Sequence, residues 1–367
     1  MQFEITREAL IKPLQLVTGV VERRQTLPVL SNVLLVLDKG TLSLTGTDLE
    51  VELVGRVAIT SNAEDGEITV PARKLMDICK SLPDDATLKF EFDNNKAVIR
   101  FGRSRFSLST LPANDFPAVE ESAGTLEFSL PQRVLKVMLD STSFAMAQQD
   151  VRYYLNGLLF EVSADYLRVV ATDGHRLALR TEAINISTSE KSQVIVPRKG
   201  ILELSRLLND SDEEVRIVIG TNHIRAHTSN FTFTSKLVDG KFPDYDRVLP
   251  KGGDKILMAV RNDLKQALNR TAILSNEKFR GIRLLLSNDE LKIVANNPEQ
   301  EEAEEIINVE YKGSPLEIGF NVSYLVDVLT VVHTDSVQLI LSDSNSSVLL
   351  KAAEDNPALY VVMPMRL

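Results

Sequence analysis

One pattern of apolar and charged positions recurs along the chain. In residues 70–82 a strand ending at Val70 runs into Pro71, and apolar residues then follow at spacings of three and four, which is typical of a helix with one buried face. These apolar residues are Leu75, Met76, Ile78, Cys79 and Leu82. The opposite face carries Arg73, Lys74 and Lys80. The pattern predicts a strand that turns into a helix, with Pro71 at the first helical position and an exposed basic face.

Two further stretches, residues 196–208 and 319–329, repeat this order of features, the second of them faintly. Their polar faces carry Arg198, Lys199 and Arg206 in the first case and Asn321, Ser323 and Tyr324 in the other. A strand, a helix and a pair of strands precede each copy, and more strands follow it. A unit that recurs in this way predicts an α+β fold with three similar domains, at residues 1–125, 126–253 and 254–367.

Composition narrows the class of protein. The chain of 367 residues is long enough for roughly two or three domains. Its one cysteine, Cys79, lies on a predicted apolar helix face, where we expect a buried thiol. The spacing of Cys and His suggests no metal site, and we expect no cofactor. No apolar run reaches the roughly 18 residues that a membrane helix needs, and the N-terminus does not resemble a signal peptide, so we expect a cytoplasmic protein.

The charges are unevenly placed. A net charge of −10 argues by itself against a nucleic-acid partner. Cations nevertheless recur on the predicted helices, whereas acidic residues gather in turns and strands such as residues 210–214 and 299–305. Solvated helix faces are one interpretation. Because the same sign recurs on equivalent helices, a basic surface that faces a polyanion is the better interpretation.

Residues 172–176 place an acid and a base close together. The sequence Thr-Asp-Gly-His-Arg invites a catalytic interpretation, with His175 as a general base beside Asp173. No nucleophile, oxyanion donor or metal ligand accompanies the two residues. Asp173-Gly174 is also an ordinary turn signal before a strand. A structural turn or a binding pocket is therefore the favoured interpretation, and His223, His227 and His333 are expected to be structural.

Two oppositely charged stretches predict a contact between copies of the chain. Residues 103–108 alternate cationic with small or apolar residues, as an exposed edge strand often does, and residues 297–305 are an acidic counterpart. Either stretch alone is typical of a solvated edge. Together they predict a head-to-tail homodimer, which closes into a ring if the rotation permits. The apolar residues expected to meet there are Phe106, Leu108, Ile273 and Leu274.

Two other segments are candidates for binding. Residues 148–154 combine polar, cationic and aromatic side chains, a mixture that suits phosphate contacts and base stacking, although a packed pair of tyrosines explains it equally well. The apolar C-terminal residues 361–367 either pack as a strand or line an apolar groove. The methionines in this segment suit a surface that accepts several partners.

Several strings in the sequence resemble the bacterial DNA polymerase III beta subunit family, the DNA sliding clamps. They are residues 172–177 (TDGHRL), 196–200 (VPRKG), 274–281 (LSNEKFRG), 297–305 (NPEQEEAEE) and 363–367 (MPMRL). They are specific in combination, and the resemblance runs from Met1 to Leu367. It implies a ring of two chains, with helices lining the hole and sheets outside, that encircles duplex DNA without sequence specificity and is not an enzyme.

The resemblance, together with the charges and the repeat described above, leads us to expect three sets of site residues. DNA contacts would come from Arg24, Arg73, Gln149, Tyr153, Tyr154, Arg198, Lys199, Phe279 and Arg283. A pocket for short motifs of DNA polymerases, the clamp loader and other partners would comprise Leu155, Thr172, Gly174, His175, Arg176, Leu177, Pro243, Arg247, Val248, Asn321, Tyr324, Val361, Met363, Pro364, Met365 and Arg366. The dimer interface would comprise Lys74, Arg103, Arg105, Phe106, Leu108, Ile273, Leu274, Glu299, Glu301, Glu302 and Glu305.

Two positions depart from the family pattern and bear on which peptides bind. Asn345 stands where an apolar residue is expected on the pocket rim, and Asp246 beside Arg247 is more acidic than usual. In the third copy of the repeat, Asn321, Ser323 and Tyr324 replace cations. We therefore expect an unevenly charged lining, in which the third helix serves protein partners more than DNA.

Simple geometry supports two chains in the ring. Helices packed about 10 Å apart place six axes on a circle roughly 19 Å across and leave a hole of about 9 Å. Duplex DNA is roughly 20 Å thick. Twelve helices give a hole of about 28 Å by the same spacing. The alternatives are an enzyme that uses Asp173 and His175, and a repeat scaffold that binds only proteins.

Overall fold

The computed structural model describes residues 1–21, 27–61, 63–93, 95–117, 119, 124–354 and 356–366. The predicted DNA contact Arg24 lies outside the described residues. The elements of the first third are β1 (Gln2–Thr6), α1 (Arg7–Thr18), β2 (Asn32–Asp38), β3 (Thr41–Thr47), β4 (Val51–Ala58), β5 (Gly66–Pro71), α2 (Ala72–Ser81), β6 (Thr87–Asp93), β7 (Lys96–Phe101) and β8 (Ser104–Ser109).

The second segment repeats this order, and the third repeats it with one additional short strand, β21. The second has β9 (Leu126–Pro131), α3 (Gln132–Asp140), β10 (Gly157–Val162), β11 (Tyr166–Thr172), β12 (Arg176–Ala183), β13 (Ser192–Pro197), α4 (Arg198–Leu207), β14 (Glu214–Ile219), β15 (His223–His227) and β16 (Phe231–Lys236). The third has β17 (Lys255–Val260), α5 (Arg261–Thr271), β18 (Gly281–Ser287), β19 (Glu290–Asn296), β20 (Glu302–Asn308), β21 (Glu310–Tyr311), β22 (Leu316–Asn321), α6 (Val322–Val331), β23 (Ser336–Leu341), β24 (Val348–Ala352) and β25 (Ala358–Val362).

The threefold repeat is confirmed by strand register as well as by element order. The last residue of the strand before each recurring helix pairs with the first residue of a neighbouring strand. These pairs are Pro71 with Asn32, Pro197 with Gly157, and Asn321 with Gly281. The prediction that Pro71 opens its helix was wrong by one residue, because Pro71 ends β5 and α2 begins at Ala72. The predicted α+β class with three similar segments is correct.

Strands of the first and second segments share one sheet in the first of two compact units. This unit comprises Met1–Val134 and Lys199–Leu237. Its eight-stranded sheet has the order β5-β2-β3-β4-β16-β15-β14-β9, and a four-stranded sheet has the order β1-β6-β7-β8. The antiparallel pairing of β4 with β16 places Phe231 opposite Gly55 and leaves neither strand with a bare edge.

The second unit repeats this arrangement. It comprises Leu135–Arg198 and Val238–Leu367. A nine-stranded sheet has the order β13-β10-β11-β12-β25-β24-β23-β17-β21, and a four-stranded sheet has the order β20-β19-β18-β22. Here β12 pairs with β25, so that Arg176 lies opposite Val362. The middle segment of the sequence is therefore divided between the two units. The domain boundaries at residues 125 and 253 remain predictions.

Each helix buries one side against a sheet. In α2 the buried residues are Ala72, Leu75, Met76 and Cys79. Burial raises the pKa of the Cys79 thiol to about 11, so this side chain is a neutral core residue, as expected. Arg73, Lys74 and Lys80 are exposed on the other side, which confirms the predicted basic face.

Candidate partner groove and basic helix faces

The turn before β12 is held by its own side chains. The Asp173 carboxylate accepts hydrogen bonds from the backbone N–H groups of His175 (2.9 Å) and Arg176 (3.1 Å), and the Thr172 hydroxyl accepts one from Gly174 N–H (3.1 Å). Gly174 has φ +89°, where a side chain would be strained, and a Cβ there would lie 3.0 Å from the Arg152 guanidinium. These bonds explain the Thr-Asp-Gly string as a rigid turn that presents His175 to solvent.

Arg176 connects this turn to two other elements. Its guanidinium bonds to Asp173 (3.1 Å), to the backbone oxygen of Phe144 (2.9 Å) and to Asp327 of α6. It also lies over the ring of Tyr324, 4.7 Å from the centroid. Only 12% of the Arg176 side chain is exposed, so these partners replace water around the charge. Arg176 therefore fixes the position of α6 relative to the turn.

The C-terminal segment after β25 is held against the same turn. Met363 N–H donates to His175 O (2.9 Å), and Met365 N–H donates to Gly319 O (2.8 Å). The Met363 side chain is left exposed, whereas Val361 is buried. The strand is thus confirmed at Val361 and Val362. The groove, which is the predicted partner surface between residues 172–177 and 361–366, remains a prediction.

The floor of the groove is apolar. Leu177 and Val361 belong to one buried cluster, and Tyr154 and Val248 pack against it while partly exposed. Leu155 is 2% exposed and lies beneath the surface. A surface that combines a buried apolar floor with exposed methionine favours apolar side chains of a partner over a charged small molecule.

A cavity of about 580 Å³ lies along residues 246–251. Arg247 and Val248 line it together with the two departures from the family pattern, Asp246 and Asn345. Arg247 is 85% exposed on its side chain and pairs with Asp244 at 2.8 Å. Pro243 is exposed nearby in sequence. The two unusual residues therefore lie where a ligand that entered this cavity would meet them.

A smaller polar cavity, of about 300 Å³, is lined by residues of the turn and of the 144–150 segment. Gln148, Asp150, His175 and Arg198 are among them. A side-chain hydrogen bond from Arg152, reinforced by the Arg152 backbone N–H, lowers the pKa of Asp150 to about 2. Asp150 is thus an anion throughout the physiological range and holds Arg152 beside Gly174.

The geometry does not support catalysis by Asp173 and His175. The Asp173 carboxylate accepts from the His175 backbone and not from its ring, and the ring lies parallel to that of Tyr324 with centroids 6.2 Å apart. A catalytic pair needs the carboxylate to orient the imidazole and a nucleophile within reach. Within the residues that the structure describes, no three His, Cys, Asp or Glu side chains are grouped to hold a metal ion.

The predicted DNA contacts lie on several elements. In the first unit, Arg73 is exposed on α2 and bonds to Val21 O at 3.2 Å, and Lys199 pairs with Asp48. In the second unit, Gln149 and Tyr153 are exposed, and Tyr153 packs edge-on against Tyr154 with ring centroids 5.9 Å apart. Also in the second unit, the predicted contacts comprise Arg198, bonded to Met146 O at 3.3 Å; Phe279, 53% exposed; and Arg283, paired with Glu317 at 3.4 Å.

Several of the predicted dimer contacts lie on or near two sheet edges. β8 is an edge of the first four-stranded sheet and β20 an edge of the second. Arg103 and Arg105 are exposed at β8, whereas Leu108 is buried in its own sheet. Near β20, Ile273 is 75% exposed. The remaining predicted residues are Lys74, exposed on α2; Phe106 and Leu274, partly buried; Glu299, Glu301 and Glu302, exposed; and Glu305, paired with Arg270.

Sequence reasoning missed two residues that shape the groove. Asp327 and Phe144 hold Arg176, but neither was predicted. Asp327 lies three residues after Tyr324, so the helical spacing places both on one face of α6, and this signal was available. Phe144 could not be found in this way, because it acts through its backbone oxygen and its ring from a separate segment.

Three tandem α+β segments, of which each neighbouring pair joins strands in one sheet, and exposed cations on α2 define a sliding-clamp class of protein. Models of the DNA polymerase III beta subunit match the chain at residues 1–120 (N-terminal domain), 129–244 (central domain) and 246–366 (C-terminal domain). The chain therefore belongs to the DNA polymerase III beta subunit family. It is a non-catalytic processivity factor of DNA replication.

Individual relatives agree over their full lengths. The beta sliding clamp of Pseudomonas aeruginosa is 67% identical and that of Escherichia coli K12 is 56% identical, each over 367 residues that cover 100% of both chains. A crystal structure of the Pseudomonas aeruginosa clamp bound to griselimycin has a TM-score of 0.98 with 67% identity and full coverage. The Bartonella birtlesii clamp bound to griselimycin has a TM-score of 0.96 with 38% identity and full coverage.

None of the helices among the described residues combines the length and the apolar character needed to cross a bilayer.

Proposed function

We propose that two copies of this chain close head to tail into a ring that encircles duplex DNA and tethers DNA polymerases, the clamp loader and other proteins. The observation that carries the ring is the pair of open edges of opposite charge. β8 and the turn before it offer Arg105 and Arg103, and the start of β20 with the residues before it offers Glu302, Glu301 and Glu299. Opposite charges favour this pairing over the association of like edges.

Exposed cations supply non-specific attraction to DNA in this proposal. Arg73 is exposed on α2, and an arginine that contacts phosphates binds DNA without reading its base sequence. Such contacts release counterions and weaken as salt rises. Enclosure then retains the ring on DNA, and the affinity for each DNA segment can stay low enough for sliding.

The groove formed by Leu177, Val361, Met363 and Val248 is the proposed site for short motifs of the partner proteins. Its apolar floor suits one or two anchoring side chains, and the cavity beside Asn345 extends it. The Pseudomonas aeruginosa and Bartonella birtlesii relatives bind griselimycin, and we propose that this chain binds it in the groove.

The ring is tested by mass and by topology. Light scattering at micromolar concentration should give twice the mass of one 40.8 kDa chain. After loading, the protein should stay on nicked circular DNA and slide off linear DNA at moderate salt. A stable monomer, or equal loss from both DNAs, would contradict enclosure.

The groove is tested separately with His175→Ala. This variant should bind partner motifs and griselimycin more weakly while keeping its dimer mass and its retention on circular DNA. The domain boundaries at residues 125 and 253 are part of the same proposal.

A further inference from the structure

The segment that carries one wall of the groove has little backbone support. Between Val238, whose N–H bonds to Ile195 O at 2.8 Å, and Lys255, where β17 begins, the described chain forms no strand. Its regular structure there is the one-turn 3-10 helix Tyr245–Arg247, which ends with a bond from Val248 N–H to Tyr245 O. This segment, residues 239–254, contains the groove residues Pro243, Arg247 and Val248. Something other than the backbone must therefore fix its position.

Two side chains of the segment point into the second unit. Phe242 and Tyr245 are 5% and 4% exposed, and both belong to the buried cluster that contains Leu177 and Val361. Phe242 supplies apolar contacts, which are not directional. They hold the segment against the unit but do little to fix its orientation. Tyr245 adds a directional contact, because its hydroxyl donates to Glu161 Oε1 at 2.9 Å and accepts from Arg168 Nη1 at 3.0 Å.

Glu161 is a fully buried carboxylate at the centre of this contact. Its side chain is 0% exposed, and it accepts from Tyr166 OH (2.9 Å) and Gln193 Nε2 (2.6 Å) and pairs with Lys191 (2.9 Å). Burial raises the pKa of Glu161, but these hydrogen bonds outweigh burial and hold its pKa below the ordinary value. The carboxylate therefore stays ionised and remains an acceptor.

The tyrosine is held in the donating form. Burial, opposed by Arg168 and reinforced by Glu161, raises the pKa of Tyr245 to about 12. A hydrogen bond between a neutral hydroxyl and a buried carboxylate is among the stronger protein hydrogen bonds, and it loses most when one partner is removed.

We propose that Glu161 and Tyr245 are positioning residues for the partner groove: the buried Glu161 carboxylate anchors residues 239–254 through the Tyr245 hydroxyl and so sets the distance of Val248 and Arg247 from the groove floor. This inference rests on the proposed function of the groove. Both side chains are buried, so we expect neither to touch the ligand. Both act through the segment that does.

Tyr166 provides a matched control. Its hydroxyl donates to the same Glu161 oxygen over the same 2.9 Å, but Tyr166 belongs to β11, and its backbone is held by the antiparallel pairing with Ala183. Tyr166→Phe and Tyr245→Phe each delete one hydroxyl from the same carboxylate. Only Tyr245→Phe frees a segment that lines the groove.

The experiment is calorimetric titration of the full chain and its variants with griselimycin, alongside thermal unfolding. Tyr245→Phe should weaken binding about fivefold to tenfold, and Tyr166→Phe should stay within about twofold. Both variants should lower the melting temperature, Tyr245→Phe somewhat more because it also removes the acceptor of the Arg168 hydrogen bond. Glu161→Gln should weaken griselimycin binding as much as Tyr245→Phe does. Because the two residues act through one hydrogen bond, the double variant Glu161→Gln/Tyr245→Phe should bind no more weakly than Glu161→Gln alone. Equal affinities of Tyr245→Phe and Tyr166→Phe would overturn the inference.

A groove control separates this result from a failure of the proposed function. Met363→Ala changes the groove surface and should weaken griselimycin binding whatever anchors residues 239–254. The groove is misassigned if the unaltered chain does not bind griselimycin, or if Met363→Ala binds griselimycin as tightly as the unaltered chain. In either case the inference about Glu161 and Tyr245 is also wrong. If Met363→Ala weakens binding but Tyr245→Phe does not, only the anchoring is wrong.

Discussion

The helices α2 and α6 occupy equivalent places in the repeat but present different chemistry. Both follow a strand that ends on the same register, so Ala72 corresponds to Val322, Arg73 to Ser323, Lys74 to Tyr324 and Asp77 to Asp327. α2 turns Arg73, Lys74 and Lys80 to solvent, whereas α6 contains no cation and binds Arg176 through Asp327 and Tyr324. The same fold unit thus forms a basic surface in one place and a wall of the candidate partner groove in another.

The largest expected difference between the two helices is in stability, and it comes from the loss of Arg176, which holds α6. Arg176→Ala should lower the free energy of unfolding by about 2–3 kcal/mol, because it leaves two carboxylates and a carbonyl without a largely buried partner. Urea denaturation measures this loss, and griselimycin binding should fall with it. Arg73→Ala, on exposed α2, should change stability by no more than about 0.5 kcal/mol. Equal losses in the two variants would show that α6 is not specially fixed.

In DNA binding, a substitution on α2 should have a larger effect than one on α6. Arg73→Ala should reduce the slope of log affinity against log salt by about 0.9 for a short fluorescent duplex, since one phosphate contact is lost. Anisotropy titrations over a range of salt concentrations measure the slope. Ser323→Ala, at the equivalent position of α6, should leave it unchanged. A change of slope in Ser323→Ala would contradict the uneven lining.

The aspartates at equivalent positions provide a smaller test. Asp327→Ala removes one partly exposed ion-pair partner of Arg176, and we expect it to lower the free energy of unfolding by about 1 kcal/mol. Asp77→Ala should stay within about 0.5 kcal/mol, because Asp77 is exposed on α2. Denaturation of both variants in parallel would expose any general effect of losing an acidic residue from these helices.

The smallest expected effect is a change in the free energy of unfolding at alkaline pH. Burial, together with Asp173, raises the pKa of Tyr324 above its ordinary value. The folded chain then holds this proton more tightly than the unfolded chain, so the contribution is present below about pH 10 and is lost as pH rises towards the folded-state pKa. Tyr324→Phe should therefore lose less stability than the unaltered chain between pH 9 and pH 11. The free energy of unfolding is measured by urea denaturation at each pH. If it falls equally with pH in both proteins, the hydroxyl is not buried as described.

The sequence was informative wherever chemistry followed a local period. Helical spacing found the buried and basic sides of α2, and alternation found the open edge at β8, because both depend on neighbours within a few residues. The turn at Asp173 and Gly174 was predictable for the same reason.

Periodicity could not reveal contacts between distant segments. The pairing of β4 with β16 and of β12 with β25 joins strands far apart in sequence, and any polar strand edge could have accepted them. The same holds for the link from Tyr245 to Glu161, which are separated by 84 positions. Both residue types are common on surfaces, so only the folded structure distinguishes this buried pair.

The shared sheet also limits how the chain can be divided. A fragment that ends at residue 125 would keep β4 but lose β16, and its outer strand would expose the backbone groups that now bond to residues 231–235. Such a fragment is a poor choice for expression as an isolated domain, because a long uncovered strand recruits other strands and leads to aggregation.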